Sequence, residues 1–342
     1  MSGDNQLNPP RTHTSLIPVQ FLNITTLVLA LLCTGQSAQA QTTEVYPNKP
    51  ITVIIPMAAG GTADLLVRKI IPELSKRLGQ NLIIDNRVGA NGAIGEDFVS
   101  RAKPDGYTLM AESSSIASNP WMMKLNYDPL TAFTPVIKLA SVPLVLIANS
   151  NVNVKSVKEL TEFAKKNPGK LNYASWGNGS TGNFAGEIFK IGTGTQINHV
   201  PYKSTSQAIN DALAGQVDLM FPTLPLSMQH LKAGKIRALA VMSSKRAPEL
   251  PDVPSTGELG FPNMEVESWF GFFFPANTPA EIITKINTQT NLVLKDPELR
   301  AALESAGFRI SGGTQQEFAK YYRAESSRYE ELVKLANMKD AN

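Results

Sequence analysis

The feature that most constrains the fold is a regular alternation of short apolar segments with helix-forming segments, beginning at Ile51. Ile51 to Ile55 (ITVII) is apolar and rich in β-branched residues, as strands buried on both faces of a parallel sheet are. A helical face follows, with apolar residues at every fourth position before Gly79: Leu66, Ile70, Leu74 and Leu78. Further strands are predicted at Asn81 to Asp85, Gly106 to Ala111, Leu171 to Ser175, Val217 to Phe221 and Ile236 to Val241. This pattern predicts an α/β protein in which mostly parallel or mixed sheets are flanked by helices.

Helix starts carry their own signals. Ser156 to Glu159 and Thr314 to Glu317 have the spacing of a capping box, and Asp296-Pro297 is a second kind of N-terminal signal. Thr278 to Glu281 predicts a further capping box, with proline at the first helical position. Helices are therefore expected after each of these four sites.

Two long apolar segments could carry the chain between two domains: Val142 to Ser150 and Ser268 to Ala276. A chain that leaves one domain, builds a second and returns needs two such crossings, although both segments could equally be plain core strands. The 342 residues suffice for two domains. We predict a first lobe of residues 46–146 and 273–342 and a second lobe of residues 147–272.

The first 40 residues predict a cleavable signal peptide. Phe21 to Cys33 is apolar but too short to span a bilayer comfortably, and Ala38-Gln39-Ala40 has the A-x-A pattern of a signal-peptidase site. A buried N-terminal helix or a membrane anchor is the alternative. Cleavage after Ala40 would place the mature chain in the periplasm and remove Cys33, the sole cysteine. The mature chain would then have no disulfide and no thiol nucleophile.

Charge argues against a nucleic-acid partner. The 32 basic and 29 acidic residues give a net charge of +3, and no dense run of lysine or arginine stands out. Binding to nucleic acid therefore has little electrostatic support.

Two small-residue loops are candidate binding elements: Pro56 to Asp64 and Ser175 to Asn183. Each follows a predicted parallel strand and precedes a helix, at the strand ends where open α/β sheets bind ligands. Glycine lets a ligand approach the backbone, and the first helical N–H groups favour an anion. Either loop alone could be an ordinary tight turn, but a similar loop in each lobe favours a shared anion site.

Other chemistry has little support. Neither loop has a P-loop lysine, and Gly177, Gly179 and Gly182 fit the dinucleotide spacing without the acidic residue that should follow. The mature chain would keep only His199 and His230, with no metal-binding spacing, so we expect no enzyme and no cofactor. Asp64 and Glu187 could be acids, but negative charge is also favoured in a helix's first turn. Trp176 and Tyr202 could line a pocket or fill a core, and Lys203 could face a cleft or solvent.

Several segments, in order, resemble the Bug family, the substrate-binding proteins of tripartite tricarboxylate transporters. The resemblance covers about Tyr46 to Lys339 and rests on YPNKPITVIIPMAAGGTAD, NLIIDNRVGANGAIGEDFVSRAKPDGYTL, YASWGNGSTGNFAGEIF, HVPYKSTSQAINDALAGQVDLMF, KAGKIRALAV and LPDVPSTGELGFPNMEVESWFGFFFPANTP. It implies a two-lobed periplasmic binding protein (Venus-flytrap) fold with two crossing strands. It also implies a ligand carboxylate held by backbone amides of two facing loops, here Ala58 to Asp64 and Trp176 to Asn183.

The candidate ligand-binding residues follow from these loops and from two segments carried over as pocket lining, Ser113 to Ser115 and Tyr202 to Thr205. They are Ala58, Ala59, Gly60, Gly61, Thr62, Asp64, Ser114, Trp176, Gly177, Asn178, Gly179, Ser180, Thr181, Asn183, Tyr202 and Lys203.

The resemblance implies a monomer that captures a small organic carboxylate and delivers it to the membrane permease subunits of a tripartite tricarboxylate-type transporter. A ligand sensor for a signalling partner and a periplasmic enzyme are the alternatives.

Three positions depart from the family pattern. Ala59 stands where proline is common, Asn183 where histidine is frequent, and Pro222 where an acidic or amide residue is frequent. The changes at Asn183 and Pro222 make the cleft less charged. We therefore expect a ligand with one firmly held carboxylate and an apolar or aromatic remainder.

Overall fold

A computed structural model describes residues 46–338, so the predicted signal peptide lies outside the described residues. The strands are β1 (Ile51–Ile55), β2 (Leu82–Asn86), β3 (Thr108–Ser113), β4 (Phe133–Pro143), β5 (Val145–Asn149), β6 (Asn172–Ser175), β7 (Asn198–Pro201), β8 (Leu219–Met220), β9 (Ile236–Val241), β10 (Glu267–Pro275) and β11 (Arg309–Ile310). The helices are α1 (Thr62–Leu78), α2 (Ala93–Ser100), α3 (Ser115–Met122), α4 (Pro129–Ala132), α5 (Val157–Lys166), α6 (Thr181–Thr193), α7 (Thr205–Ala214), α8 (Leu224–Lys232), α9 (Ala280–Leu294), α10 (Pro297–Ser305) and α11 (Gln315–Leu335).

The strands form two mixed sheets. The first has the order β11-β4-β10-β3-β1-β2, in which β1 pairs in parallel with β2 and β3, and β10 is antiparallel to β3 and β4. The second has the order β7-β6-β8-β5-β9, with β6 parallel to β7 and β8 and with β5 antiparallel to β8 and β9. We call the parts of the chain built on these sheets the first and second lobes.

The uniformly apolar strands are explained by helices on both faces of each sheet. In β1, Ile51 and Val53 pack into one core cluster with residues of α1 and α9, whereas Ile54 packs into another with residues of α3 and α11. In β5, Leu146 and Ile147 likewise belong to different clusters. Because successive side chains of a strand point to opposite faces, a strand covered on both sides must be apolar throughout.

The chain changes sheet at two adjacent points. Leu144 lies between β4 and β5, donates its N–H to Val266 O (3.3 Å) and accepts a hydrogen bond from Met242 N (2.8 Å). The first predicted crossing segment, Val142 to Ser150, is thus confirmed. The second, Ser268 to Ala276, was wrong as a crossing, because β10 pairs with β4 along its whole length and the return occurs just before it, at Val266.

Strand pairing places Val145 and Leu146 in the second sheet and residues 267–272 in the first. These residues lie on the other side of the predicted domain limits, 146/147 and 272/273. The division of the chain into lobes at those limits stays a prediction.

Three of the four predicted helix starts hold, with Ser156, Asp296 and Thr314 as N-caps. The fourth differs: Pro279 is the N-cap of α9, and the Thr278 hydroxyl donates to Pro275 O (2.9 Å) instead of capping the helix. Within residues 46–338, no helix is both long and apolar enough to cross a membrane.

Candidate functional site

A cavity lies where both lobes present the carboxyl ends of their parallel strands. Its walls come from the segments after β1 and β2 and the end of β3 in the first lobe, and after β6, β7 and β8 in the second. Phe270 of β10 also contributes. Strand ends of open α/β sheets are where such folds bind ligands, because the following helices begin there.

The N-cap residues of four helices line this cavity. They are Gly61 of α1, Gly92 of α2, Ser204 of α7 and Thr223 of α8. The first N–H groups of a helix lack partners within the helix, and they lie at the positive end of its dipole. Among these ends, those of α1, α7 and α8 favour a negatively charged ligand.

The loop after β1 delivers α1 to the cavity, with Ala58, Gly61 and Thr62 in the wall. Gly60 has φ +75°, a left-handed conformation that favours glycine, and the Gly61 N–H closes the turn onto Ala58 O (3.1 Å). The first intrahelical bond runs from Leu65 N to Gly61 O (2.9 Å). The N–H groups of residues 62–64 precede that bond.

Asp64 holds this loop from the inside. It is 2% exposed, and its Oδ2 accepts hydrogen bonds from Gly60 N (2.9 Å) and Arg68 Nε (2.7 Å). Asn86 links its Oδ1 to Met57 O. Burial alone would raise the pKa of Asp64, but the hydrogen bonds from Arg68, Gly60 and Asn86 outweigh it and lower the pKa. Asp64 therefore shapes the loop and does not line the cavity.

In the second lobe, the loop after β7 and the first turn of α7 contribute most of the wall: Lys203, Ser204, Thr205 and Ser206. The Ser204 hydroxyl caps α7 by accepting from Gln207 N (3.2 Å). Among the lining residues in the described part of the chain, Lys203 alone carries a charge. A helix N-terminus and a lysine thus stand on the same side of the cavity.

The predicted second loop, Trp176 to Asn183, is instead bonded to itself. Gly177 N donates to Ser175 Oγ (3.2 Å), Gly179 N to Asn183 Oδ1 (3.0 Å), and Asn183 N to the N-cap hydroxyl of Ser180 (3.3 Å). Of this loop, Trp176 lines the cavity. A β-carbon on Gly182 would lie 2.5 Å from the Trp176 ring, so the glycine is what lets the indole pack on α6.

A pair formed by the buried Ser175 and the partly buried His199 supports the same loop. Ser175 Oγ lies 2.6 Å from His199 Nε2 and donates to Gly177 O (3.0 Å). Burial lowers the pKa of His199 to about 4, so the ring is neutral at physiological pH. Tyr173 stacks on this ring with centroids 4.9 Å apart. Ser175 is fully buried and does not line the cavity, so this pair positions the loop.

Comparison with known proteins decides the family. The model of the tripartite tricarboxylate transporter family receptor matches residues 66–338. The chain belongs to this receptor family. Protein BugT of Bordetella pertussis is similar to it, with 31% identity over 324 residues that cover 93% of this chain and 99% of that protein.

Solved structures agree in sequence and fold. The periplasmic binding protein BugD is 32% identical, with a TM-score of 0.82 and coverage of 86% of this chain and 100% of that one. An R. palustris protein with adipate is 37% identical (TM-score 0.82, coverage 85% and 98%). MatC from Rhodopseudomonas palustris with bound malate is 31% identical (TM-score 0.78, coverage 84% and 100%).

These findings confirm the predicted family and the two-lobed α/β fold of periplasmic binding proteins. The family consists of solute-binding receptors, not enzymes, which bind small carboxylates and work with a tripartite transporter. A group of three or more potential metal ligands does not occur among residues 46–338.

The two lobes of the receptor touch around the cavity. Thr62 Oγ1 lies 2.7 Å from Thr223 Oγ1, and Ser114 Oγ lies 3.0 Å from Thr181 Oγ1. Ser118 Oγ donates to Gly179 O (2.9 Å). The loop at Trp176 to Asn183 therefore packs onto α3 of the first lobe, and this contact uses its polar groups.

Five of the predicted ligand-binding residues line the cavity: Ala58, Gly61, Thr62, Trp176 and Lys203. Ser113, Ser204 and Thr205, from the segments predicted as pocket lining, do so as well. The other predicted residues do not line it: Ala59, Gly60, Asp64, Ser114, Gly177, Asn178, Gly179, Ser180, Thr181, Asn183 and Tyr202. Direct contact of any of them with a ligand stays a prediction.

Sequence reasoning missed three parts of the wall: the turn after β2 with Gly89 and Gly92, the residue Thr223, and Phe270. The sequence does contain local signals for two of these parts. Gly89 and Gly92 punctuate the segment directly after a predicted strand, and Thr223 lies just after the predicted strand Val217 to Phe221. For the α7 end, Ser204 to Gln207 has capping-box spacing. Nothing local marks Phe270.

Proposed function

We propose that the chain is an exported receptor that captures one small organic carboxylate between its lobes and hands it to a membrane permease. The observation that carries this proposal is the convergence of three helix N-caps, Gly61, Ser204 and Thr223, on one cavity.

The energies suit a reversible capture protein. A hydrogen bond to a charged group nets roughly 1.5–3 kcal/mol. Three or four such bonds from the ends of α1, α7 and α8, less the cost of ordering the ligand, reach the roughly −8 kcal/mol of a micromolar complex. Lys203 would add attraction at longer range. A buried arginine is not needed.

The rest of the wall favours an apolar ligand body. Met57, Val88, Trp176 and Phe270 line the cavity beside the helix ends. A ligand with one carboxylate and an apolar or aromatic remainder would match both kinds of surface. The relatives with adipate and malate support a carboxylate as the common element.

Export, cleavage after Ala40, the monomeric state and the permease partner belong to the same proposal. Closure of the lobes around the ligand would let a permease distinguish loaded from empty receptor. Fractionation of cells that express the full chain, mass spectrometry of the recovered protein, and light scattering would test the first three. A pull-down from membrane extracts would separate a permease partner from a signalling partner.

A thermal-shift screen over organic acids tests the binding function. A ligand at 100 times its Kd should stabilise the receptor by about 2.7 kcal/mol, which raises Tm by a few degrees. Neutral amides of the same acids are the matched controls. Absence of a shift with every mono-, di- and tricarboxylate at millimolar concentration would contradict the proposal.

A further inference from the structure

Two buried glutamates converge behind one wall of the cavity. Glu96 of α2 and Glu112 of β3 are both 0% exposed. A β-carbon on Gly92 would lie 3.2 Å from Glu96 Oε1 and 3.2 Å from Glu112 Oε2. Gly92 itself lines the cavity, so both carboxyls stand directly behind this residue.

Within residues 46–338, only one of the two carboxyl oxygens of Glu112 accepts hydrogen bonds. Its Oε1 accepts hydrogen bonds from Ser113 N (2.5 Å), Ser113 Oγ (3.1 Å) and Ser115 Oγ (3.0 Å). Its Oε2, the atom beside Gly92, accepts none from the described residues. Ser113 lines the cavity, and its donors are already committed to the carboxyl behind it.

Glu96 is held from the other side. Asn119 Nδ2 donates to its Oε1 (2.9 Å), and the Tyr127 hydroxyl donates to its Oε2 (2.7 Å). Asn91, another cavity-lining residue, donates a hydrogen bond from its side-chain amide to Asn119 Oδ1 (2.9 Å). The wall at residues 91, 92 and 113 therefore offers few spare donors, whereas the ends of α1, α7 and α8 offer several.

No cation balances the two carboxyls: neither Glu96 nor Glu112 forms an ion pair with any of residues 46–338. Burial, and then the charge of Glu112, raise the pKa of Glu96 well above its usual range. Burial also raises the pKa of Glu112, against the hydrogen bonds from Ser113 and Ser115. Both carboxyls therefore take up a proton at a higher pH than an exposed carboxyl does.

From this juxtaposition we infer that Glu96 and Glu112 are specificity determinants that reject a second negative charge at the Gly92 end of the cavity. The inference rests on the proposed function. A bound acid would place its carboxylate at the ends of α1, α7 and α8 and its neutral or cationic end towards Gly92. A dicarboxylate of the same length would bring its second charge against the buried pair.

The expected size of this discrimination is large enough to measure. Two like charges about 6 Å apart at an effective dielectric constant of about 20 repel by enough to change affinity roughly 10- to 100-fold. Protonation of the pair weakens the repulsion. Dicarboxylates should therefore bind better as pH falls, while monocarboxylates should change little.

Other titratable groups around the pair do not imitate this behaviour near neutrality. Tyr127 and Tyr322 face it, and burial raises the pKa of both, so both stay protonated. Asp97 forms an ion pair with Arg101 (2.6 Å), and Asp128 caps α4 by accepting a hydrogen bond from Leu130 N (2.9 Å).

The experiment compares acids of equal length by titration calorimetry: butyrate with succinate, and hexanoate with adipate. In the unmodified receptor at about pH 8.5, each monocarboxylate should bind roughly 10-fold or more tightly than its partner. The ratio should shrink towards about pH 6.5, where both acids remain fully or almost fully ionised. 6-Aminohexanoate, with a cationic far end, should bind at least as well as hexanoate.

Variants locate the effect. Glu112→Gln keeps the shape and the acceptor for Ser113 and Ser115, and should reduce the mono-to-dicarboxylate ratio about 10-fold and remove most of its pH dependence. Glu96→Gln should act in the same direction. Glu325→Gln is the matched control, since Glu325 is a buried glutamate (8% exposed) that does not line the cavity.

Equal affinities within each pair of acids for the unmodified receptor, or a ratio unchanged by both Glu112→Gln and Glu96→Gln, would overturn the inference while leaving carboxylate binding intact. If the variants fold poorly, the pH dependence of the ratio in the unmodified receptor still decides. Absence of binding by every acid would instead contradict the proposed function.

Discussion

Thr62 and Thr223 join the two lobes across the cavity, with their hydroxyl oxygens 2.7 Å apart. Thr62 is the first residue of α1, Thr223 is the N-cap of α8, and both are buried. The contact between the two hydroxyls therefore connects the N-terminus of α1 in the first lobe to the N-terminus of α8 in the second lobe.

Removing this link should loosen the closed form. Thr223→Val keeps the shape and removes no capping bond, because the Thr223 side chain does not cap α8. It leaves the Thr62 hydroxyl buried without its partner, at a cost of about 1–3 kcal/mol. We expect carboxylate affinity to fall about 5- to 100-fold by calorimetry. Thr62→Val should weaken binding similarly, and the double variant should be less than additive; full additivity would show that the pair is not coupled.

Gly182 should be required for the position of Trp176. Gly182→Ala would place a methyl group 2.5 Å from the indole ring and push Trp176 from its place in the wall. We expect roughly 10-fold weaker ligand binding and a shift in tryptophan fluorescence. Gly192→Ala on the same helix meets the flexible end of Met264, away from the cavity, and is the control. Equal effects of both variants would argue for helix destabilisation alone.

His199 should limit stability in acid. Its pKa lies near 4 in the folded receptor and near 6.5 in the unfolded chain, so the unfolded chain binds the proton first. Its stabilising contribution is present above about pH 6.5 and is lost as pH falls through 4. In His199→Gln, Tm should therefore fall less between about pH 6.5 and pH 4. The difference should correspond to roughly 1–3 kcal/mol of unfolding free energy. His230→Gln, on α8 outside the cavity wall, should leave most of the fall in Tm in place.

Glu96 and Glu112 should have the opposite effect on stability. Because burial raises their pKa values in the folded state, the folded receptor keeps protons that the unfolded chain has lost. Stability from this source is complete below the usual carboxyl pKa and declines as pH rises through the raised values. Glu112→Gln should therefore raise Tm at about pH 8.5 more than at about pH 5. If Glu112→Gln instead lowered Tm equally at both pH values, the claim that this carboxyl carries an unbalanced charge in the folded receptor would be refuted.

The sequence predicted many of the strands and helices, and it placed the candidate site at the carboxyl ends of parallel strands, because those features follow from local periodicity and caps. Ile51 to Ile55 forms β1 residue for residue, and Gly79 ends α1 in a left-handed conformation. It also predicted the loop that brings α1 to the cavity. These features depend on neighbours along the chain.

Two kinds of feature cannot be read from the sequence: the hydrogen bonds that a loop forms within itself, and the contacts between segments far apart in the chain. The loop at Trp176 to Asn183 has the composition of an anion site, yet its amides bond to Ser175, Ser180 and Asn183. Composition cannot say whether a free N–H will find a partner within its own loop. The convergence of Glu96 on Glu112 requires α2 and β3 to meet, which no local pattern reveals.

The most direct test of the account is a calorimetric titration of the receptor with an organic acid and with its primary amide, a neutral ligand of the same shape. The account predicts that an acid identified by the screen binds with micromolar or tighter affinity and that its amide binds at least about 100-fold more weakly. Equal affinities for acid and amide would contradict the claim that helix N-termini around this cavity hold a negative charge.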